Sequence, residues 1–162
     1  AALTGHLVIS TVHTNDAPSA ISRMLELGVP AYLIRATVIG IMAQRLVRTL
    51  CENCKTPGEV EADVWSELTQ PWTVSRPAKV FAAEGCLECR NSGYYGRQGI
   101  YEILPVSREV SRLIVDDFDL DALRQLGLRE GMHTLRLSGA QKIAAGITTP
   151  HEVLRVTPAF EK

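Results

Sequence analysis

The chain has 162 residues, 46% of them hydrophobic and 22% charged, a balance that excludes a disordered polypeptide. Seventeen Lys plus Arg against 18 Asp plus Glu leave a net charge of −1, so no basic field argues for nucleic acid. The longest apolar stretch, residues 29–43, contains Arg35 and falls short of the ~20 residues that cross a bilayer. The chain opens on Ala1 with neither an initiator methionine nor a signal-peptide pattern, and it reads as a piece of a longer polypeptide.

Residues 6–13, "HLVISTVH", place Leu7 and Ile9 on one side and Val8 and Val12 on the other. That predicts a strand buried on both faces, as in the parallel sheet of an α/β domain. Asn15 and Asp16 are N-cap residues, Pro18 suits a first turn, and Ile21, Met24 and Leu25 make an apolar face that stops at Gly28. A helix of about three turns is expected there. Residues 30 to 50 read as a second, mostly buried helix through Ile34, Val38 and Ile41, with Arg45 and Arg48 suiting its C-terminus.

Composition shifts at Cys51. "EVEADVWSEL" reads as an acidic helix and "PAKVFAA" as a short strand. With Trp65 and Trp72, the acidic stretch is a candidate contact for another subunit or a membrane-associated partner; the plain alternative is a solvated helix face. "RNSGYYGRQGIYEIL" reads as a Gly-rich turn followed by a strand. Beyond residue 107 the pattern is helical. One run starts at Ser107 with Val110 and Ile114, another carries Leu120, Leu123 and Leu126, and a third carries Leu135, Ala140 and Ile143 before Gly146. "TPHE" is a capping box, Thr149 to Glu152, that opens a short final helix.

The four cysteines form two C-x2-C pairs, Cys51/Cys54 and Cys86/Cys89, with 31 residues between the pairs. Two such knuckles make the tetrahedral sulfur cage that zinc prefers, at ~2.3 Å per bond, and four thiolates close it to catalysis. Other readings stand beside this one: a redox pair, disulfides, which need an oxidising compartment, or four reduced, metal-free thiols. Tyr94, Tyr95 and Tyr101 interleave with Arg90 and Arg97, but the acidic segment 59–67 opposes phosphate contact.

His6 and His13 lie seven residues apart, about 23 Å along a strand and on opposite faces, so both cannot reach one phosphate. His13 falls at the carboxyl end, where open α/β sheets bind ligands, and a helix N-terminus follows. From the residues alone, a strand-end histidine bonded to backbone is the commoner case.

"LTGHLVISTVHTNDA" resembles the histidine box of the secretion-type ATPases, the hexameric motors of type II secretion and type IV pilus assembly. "AQRLVRTLCENC", "GCLECRNSGYYGRQGIYEIL" and "GITTPHEVLRVT" are similar to further family landmarks, in the family's order, across essentially the whole chain. The resemblance implies an α/β fold: the C-terminal part of a RecA-like P-loop NTPase domain with a tetracysteine zinc-binding insert and a helical C-terminal subdomain. Residues 1–50 would belong to the ATPase core, 51–97 to the insert and 98–162 to the helical subdomain. It also implies ATP binding and Mg2+-dependent hydrolysis in the intact polypeptide, a homo-hexamer, and a cytoplasmic location peripheral to the bacterial inner membrane. Secretion or pilus platform proteins would be partners, and nucleic acid would not.

In that family the second histidine of the box lies near the γ-phosphate. The matching residue is His13, expected to be catalytic and nucleotide-binding, with Thr14 beside it. His6 matches the first histidine, and its role stays open. So does that of Arg23, Arg45 and Arg48, between a neighbouring subunit and helix decoration. No G-x-x-x-x-G-K-[ST] occurs and no acidic strand precedes the box, so the phosphates and magnesium lack their holders. The chain alone is therefore expected to be inactive, and the strand at 6–13 to lack sheet neighbours. Two rival readings are a non-catalytic, zinc-stabilised interaction module and a zinc ribbon for nucleic acid.

Overall fold

A computed structural model of the chain describes residues 1–159. It is a mixed α/β structure of seven α-helices and four strands among the described residues, and the chain divides into two compact units. The first unit takes Ala1–Ala43 and Glu102–His133; the second takes Gln44–Tyr101 and the chain from Thr134 onward.

In the first unit, residues 6–13 are irregular and exposed, with Leu7 79% and Ile9 88% accessible. The expected parallel strand is absent. A strand needs a neighbour to take its backbone hydrogen bonds, and among the described residues none runs beside this segment. Helix α1, Ser19–Glu26, is shorter than expected, and Pro18 rather than Asn15 or Asp16 stands at its N-cap. Asp16 still serves the first turn, since its Oδ1 accepts from the Ser19 N–H at 2.8 Å. Gly28, at φ +85°, ends the helix, as only a residue without Cβ does cheaply. Helix α2 is Ala31–Thr37.

The expected long helix stops there. Strand β1, Gly40–Leu50, replaces its second half and pairs with β4, Tyr94–Pro105. A run that is apolar all round carries no period to separate a buried helix from a strand. β-branched Thr37, Val38 and Ile39 followed by Gly40 weaken the helix, and β4 supplies the hydrogen bonds of a strand. Burial along β1 then alternates, with Ala43 and Val47 inside and Met42, Gln44 and Leu46 outside. Arg45 and Arg48 are thus strand residues. Helices α4, Arg108–Leu113, and α5, Leu120–Arg129, complete the first unit. Their caps are side chains: Ser107 Oγ accepts from the Val110 N–H at 3.0 Å, and Asp119 Oδ1 from the N–H groups of Asp121 and Ala122.

In the second unit, strand β2, Lys55–Gly58, pairs antiparallel with β3, Val80–Ala83, in the register Lys55↔Ala83 to Gly58↔Val80. The sequence marks β3 but not β2, whose "KTPG" has no strand signature. Between them lies α3, Ala62–Thr69, the expected acidic helix. Its Trp65 is buried and donates its indole N–H to the Val74 carbonyl at 2.9 Å. Glu67 pairs with Arg136 at 2.6 Å. Trp65 is therefore core rather than contact surface. Helix α6, Leu135–Ala144, packs on α3 and on α7, Pro150–Val156. A Cβ at Gly139 of α6 would fall inside the Val153 side chain. Gly139→Ala gains about 1 kcal/mol in helix propensity, but overpacking a stiff β-branched neighbour costs ~1–3 kcal/mol. A lowered melting temperature is expected; an unchanged or higher one would show that Val153 yields freely.

The capping box at α7 is half realised. Thr149 Oγ1 accepts from the Glu152 N–H at 3.4 Å, but the Glu152 carboxylate goes to β1 instead of back to the cap. It accepts from the Arg48 N–H at 3.1 Å and from Arg48 Nη2 at 2.6 Å, and Arg155 adds Nε and Nη2 at 3.2 and 3.0 Å. The Arg48 guanidinium also lies 4.1 Å above the Tyr94 ring. The Glu152 side chain is fully buried, and these donors, Arg48 foremost, hold its carboxyl down at about 2 against the cost of burial. Leu50 N–H to the Ile147 carbonyl and Thr148 Oγ1 to the Arg48 carbonyl, both 2.8 Å, tie the same stretches together.

Candidate functional site

The four cysteine sulfurs converge, each within 4.8 Å of the others. Sγ–Sγ separations are 3.9 Å for Cys51–Cys86, 3.8 Å for Cys54–Cys89 and 3.7 Å for Cys86–Cys89. A tetrahedron with ~2.3 Å metal–sulfur bonds has edges of ~3.8 Å. These separations are far beyond the ~2.05 Å of a disulfide, and all four thiols are free. The donor set therefore fits a zinc-type ion, held by Cys51, Cys54, Cys86 and Cys89.

Local structure builds the two knuckles. Cys51 directly follows β1, and its carbonyl accepts from the N–H groups of Cys54 at 3.3 Å and Lys55 at 3.0 Å, which curls the first pair before β2 begins. In the second, the Asn91 N–H reaches the Cys86 carbonyl at 2.8 Å, and Arg90 and Asn91 sit in the left-handed region at φ 54° and 57°. Backbone amides point at sulfur: Gly85 N–H to Cys54 at 3.3 Å, and Cys86 and Gly93 N–H to Cys89, both at 3.2 Å. Gly93 is a required glycine, because a Cβ there would come within 2.6 Å of the Ala83 side chain. Its carbonyl accepts from the Cys51 N–H at 3.0 Å and so links the two knuckles.

The electrostatics favour one thiolate first. Burial opposes charge at Cys89, but the Cys86 and Gly93 amides and the neighbouring thiols overcome it and bring the group down to about 6. Burial pushes Cys54 up to about 12, and hydrogen bonds with the adjoining sulfurs add to that. A divalent cation at the centre would supply the charge that the remaining thiols need to ionise.

His13 lies in the exposed irregular segment, and Thr14, half-buried, donates its hydroxyl to the Asp16 carbonyl at 3.0 Å. The first N–H of α1 is already taken by Asp16, so that terminus is not an open anion site. His6 is exposed, with Nδ1 3.0 Å from Thr4 Oγ1. Arg23 makes an exposed pair with Glu26, a contact of about 0–1 kcal/mol. Sequence reasoning missed the groups that fix the chain after His13. Glu102, buried on β4, accepts from the Ala17 N–H at 2.7 Å, and Arg124 on α5 reaches Asp16 at 2.8 Å. No local pattern marks partners 85 and 108 residues apart.

A family model described as Type II/IV secretion system protein matches residues 1–155. The chain is 44% identical over 158 residues to the type IV pilus assembly ATPase TfpB of Acinetobacter baylyi, covering 98% of the chain and 27% of that protein. It is 42% identical over 157 residues to the type IV pilus assembly ATPase PilB of Thermus thermophilus, covering 97% of the chain and 18% of that protein. It is 40% identical over 157 residues to the type II secretion system ATPase E of Vibrio cholerae, covering 97% of the chain and 31% of that protein. The chain thus spans less than a third of the length of these relatives, but nearly all of it aligns with them. It belongs to the type II/IV secretion system protein family.

Proposed function

We propose that this chain is the C-terminal portion of a hexameric ATPase that powers type II protein secretion or type IV pilus assembly by Mg2+-dependent ATP hydrolysis. The observation that carries the reading is identity of 40–44% across nearly the whole chain to ATPases of both systems. In this reading, residues 1–50 complete a RecA-like core, 51–97 form the metal-binding insert and 98–162 the mostly helical subdomain. The intact protein works at the cytoplasmic face of the inner membrane against platform proteins. No helix among the described residues is long and apolar enough to cross a membrane.

Within the site, His13 meets the terminal phosphate of ATP, with Thr14 beside it. Imidazole suits a group that must donate a hydrogen bond to developing phosphate charge. Cys51, Cys54, Cys86 and Cys89 hold zinc, which supplies a structural cross-link and no chemistry of its own. The chain by itself lacks the Lys and the acidic strand that hold phosphates and magnesium, and is inactive alone. Exposed apolar residues at 7–12 suit a segment that a further part of the protein covers.

The test is His13→Ala in the full-length ATPase. Turnover should fall about 100-fold, in line with loss of one charge-stabilising donor, while ATP affinity stays within about threefold. Undiminished turnover would remove the phosphate role.

A further inference from the structure

The chain changes character just after His13. Residues 7–13 are exposed, Thr14 is half-buried, and Ala17 and Pro18 are buried. Loops are ordinarily fixed by their own turn chemistry, but this one is fixed from afar within the first unit. Glu102, 5% exposed on β4, accepts from the Ala17 N–H through Oε1. A buried carboxylate is costly unless answered, and here part of the answer is a single loop amide. Arg124 spreads its planar guanidinium over the same turn: Nη2 reaches Asp16 Oδ2 at 2.8 Å and Ser19 Oγ at 3.5 Å, and Nη1 reaches Asp121 of its own helix at 3.3 Å. The other Asp16 oxygen caps Ser19, and Thr14 donates to the Asp16 carbonyl.

We propose that Glu102 and Arg124 are a positioning pair that anchors Asp16 and Ala17 and thereby sets where His13 and Thr14 meet the nucleotide. This rests on the assignment of His13 to the terminal phosphate. Neither residue touches ATP. Each acts by holding the chain from which the imidazole projects, and a misplacement of ~1 Å at a reacting group costs up to ~100-fold in rate.

The experiment is a double-mutant cycle on ATP turnover in the full-length protein. Arg124→Ala should lower kcat about tenfold or more, with KM for ATP moving less than about threefold. His13→Ala/Arg124→Ala should be no slower than His13→Ala, because the anchor has nothing left to position. Glu102→Gln, which keeps an acceptor for the Ala17 N–H, should retain more activity than Glu102→Ala. Arg112→Ala, which removes only an exposed pair with Glu109 inside α4, is the control and should leave turnover unchanged. If Arg124→Ala fails to fold, Asp16→Asn keeps the Ser19 cap, discharges the pair and should give the same non-additive loss. A slow His13→Ala with a normal Arg124→Ala overturns the positioning role and leaves the phosphate role intact. Additive losses also overturn it, since they mark a general structural defect. An active His13→Ala overturns the phosphate assignment, and with it any claim that the pair acts through His13.

Discussion

Chelation of the zinc proposed at Cys51, Cys54, Cys86 and Cys89 is expected to loosen both knuckles and the β2–β3 ladder, with a large loss of stability. Helix α3 keeps its own packing on α6 and α7, but the knuckles and the ladder have less to hold them. Strands β2 and β3 are four residues each, and an isolated pair of that size is marginal in water. The second knuckle holds Arg90 at positive φ, which costs ~1 kcal/mol or more for a non-glycine residue. Lys55, next to Cys54, pairs with Ala83, two residues before Gly85, so the ladder and the sulfur cage close the same loop. Structural zinc in small domains contributes about 10–16 kcal/mol of apparent binding energy, enough to dominate both terms. Elemental analysis should find about one zinc per chain, and Cys51→Ser should lose it. Hydrogen exchange after chelation should show protection lost first in β2, β3 and the knuckles. A chelated protein with the same melting temperature and the same exchange pattern would remove the metal from the account.

The second large effect is expected at Glu152. Glu152→Ala leaves the Arg48 N–H and guanidinium without their main acceptor; the Arg48 side chain is 39% exposed, so water takes up part of its charge, and a loss of about 2–3 kcal/mol is expected. Glu152→Gln keeps the volume and an acceptor oxygen, so ~1–3 kcal/mol is expected. The pH dependence has a definite sign. In the folded chain the Arg48 hydrogen bond above all holds the carboxyl down at about 2, against an ordinary 4.5. Its stabilisation is full above the unfolded value and is lost as pH falls from about 5 towards 2, about 3 kcal/mol in all. Acid also protonates the thiolates, so the informative quantity is the difference between the native chain and Glu152→Gln at each pH. That difference should shrink over the acid range; one that stays constant would mean the carboxyl is not depressed.

Much of this arrangement was legible beforehand, for physical reasons. Cysteine spacing carries the convergence of the four sulfurs because two knuckles are local turns. The caps at Ser107 and Thr149 and the stops at Gly28 and Gly146 act within a few residues, so sequence marks them. Where a long-range partner decides, the reading failed. Residues 40–50 suit helix or strand equally by pattern, and β4 settles the matter. β2 exists because β3 pairs with it, and nothing in "KTPG" announces that. Glu152 has the sequence position of a reciprocal cap, yet its carboxylate finds Arg48, 104 residues away. The Asp16–Arg124 and Ala17–Glu102 contacts are hidden in the same way.

The Glu152 contact gives the chain's tail an unexpected office. α7 grips the backbone of β1 at Arg48, three residues ahead of the first sulfur, so the root of the cage rests on a helix whose Glu152 lies 104 residues further along the chain. During synthesis that footing arrives well after both knuckles have been made. Until α7 leaves the ribosome, the first knuckle hangs from a strand that β4 pairs with but Glu152 does not yet hold.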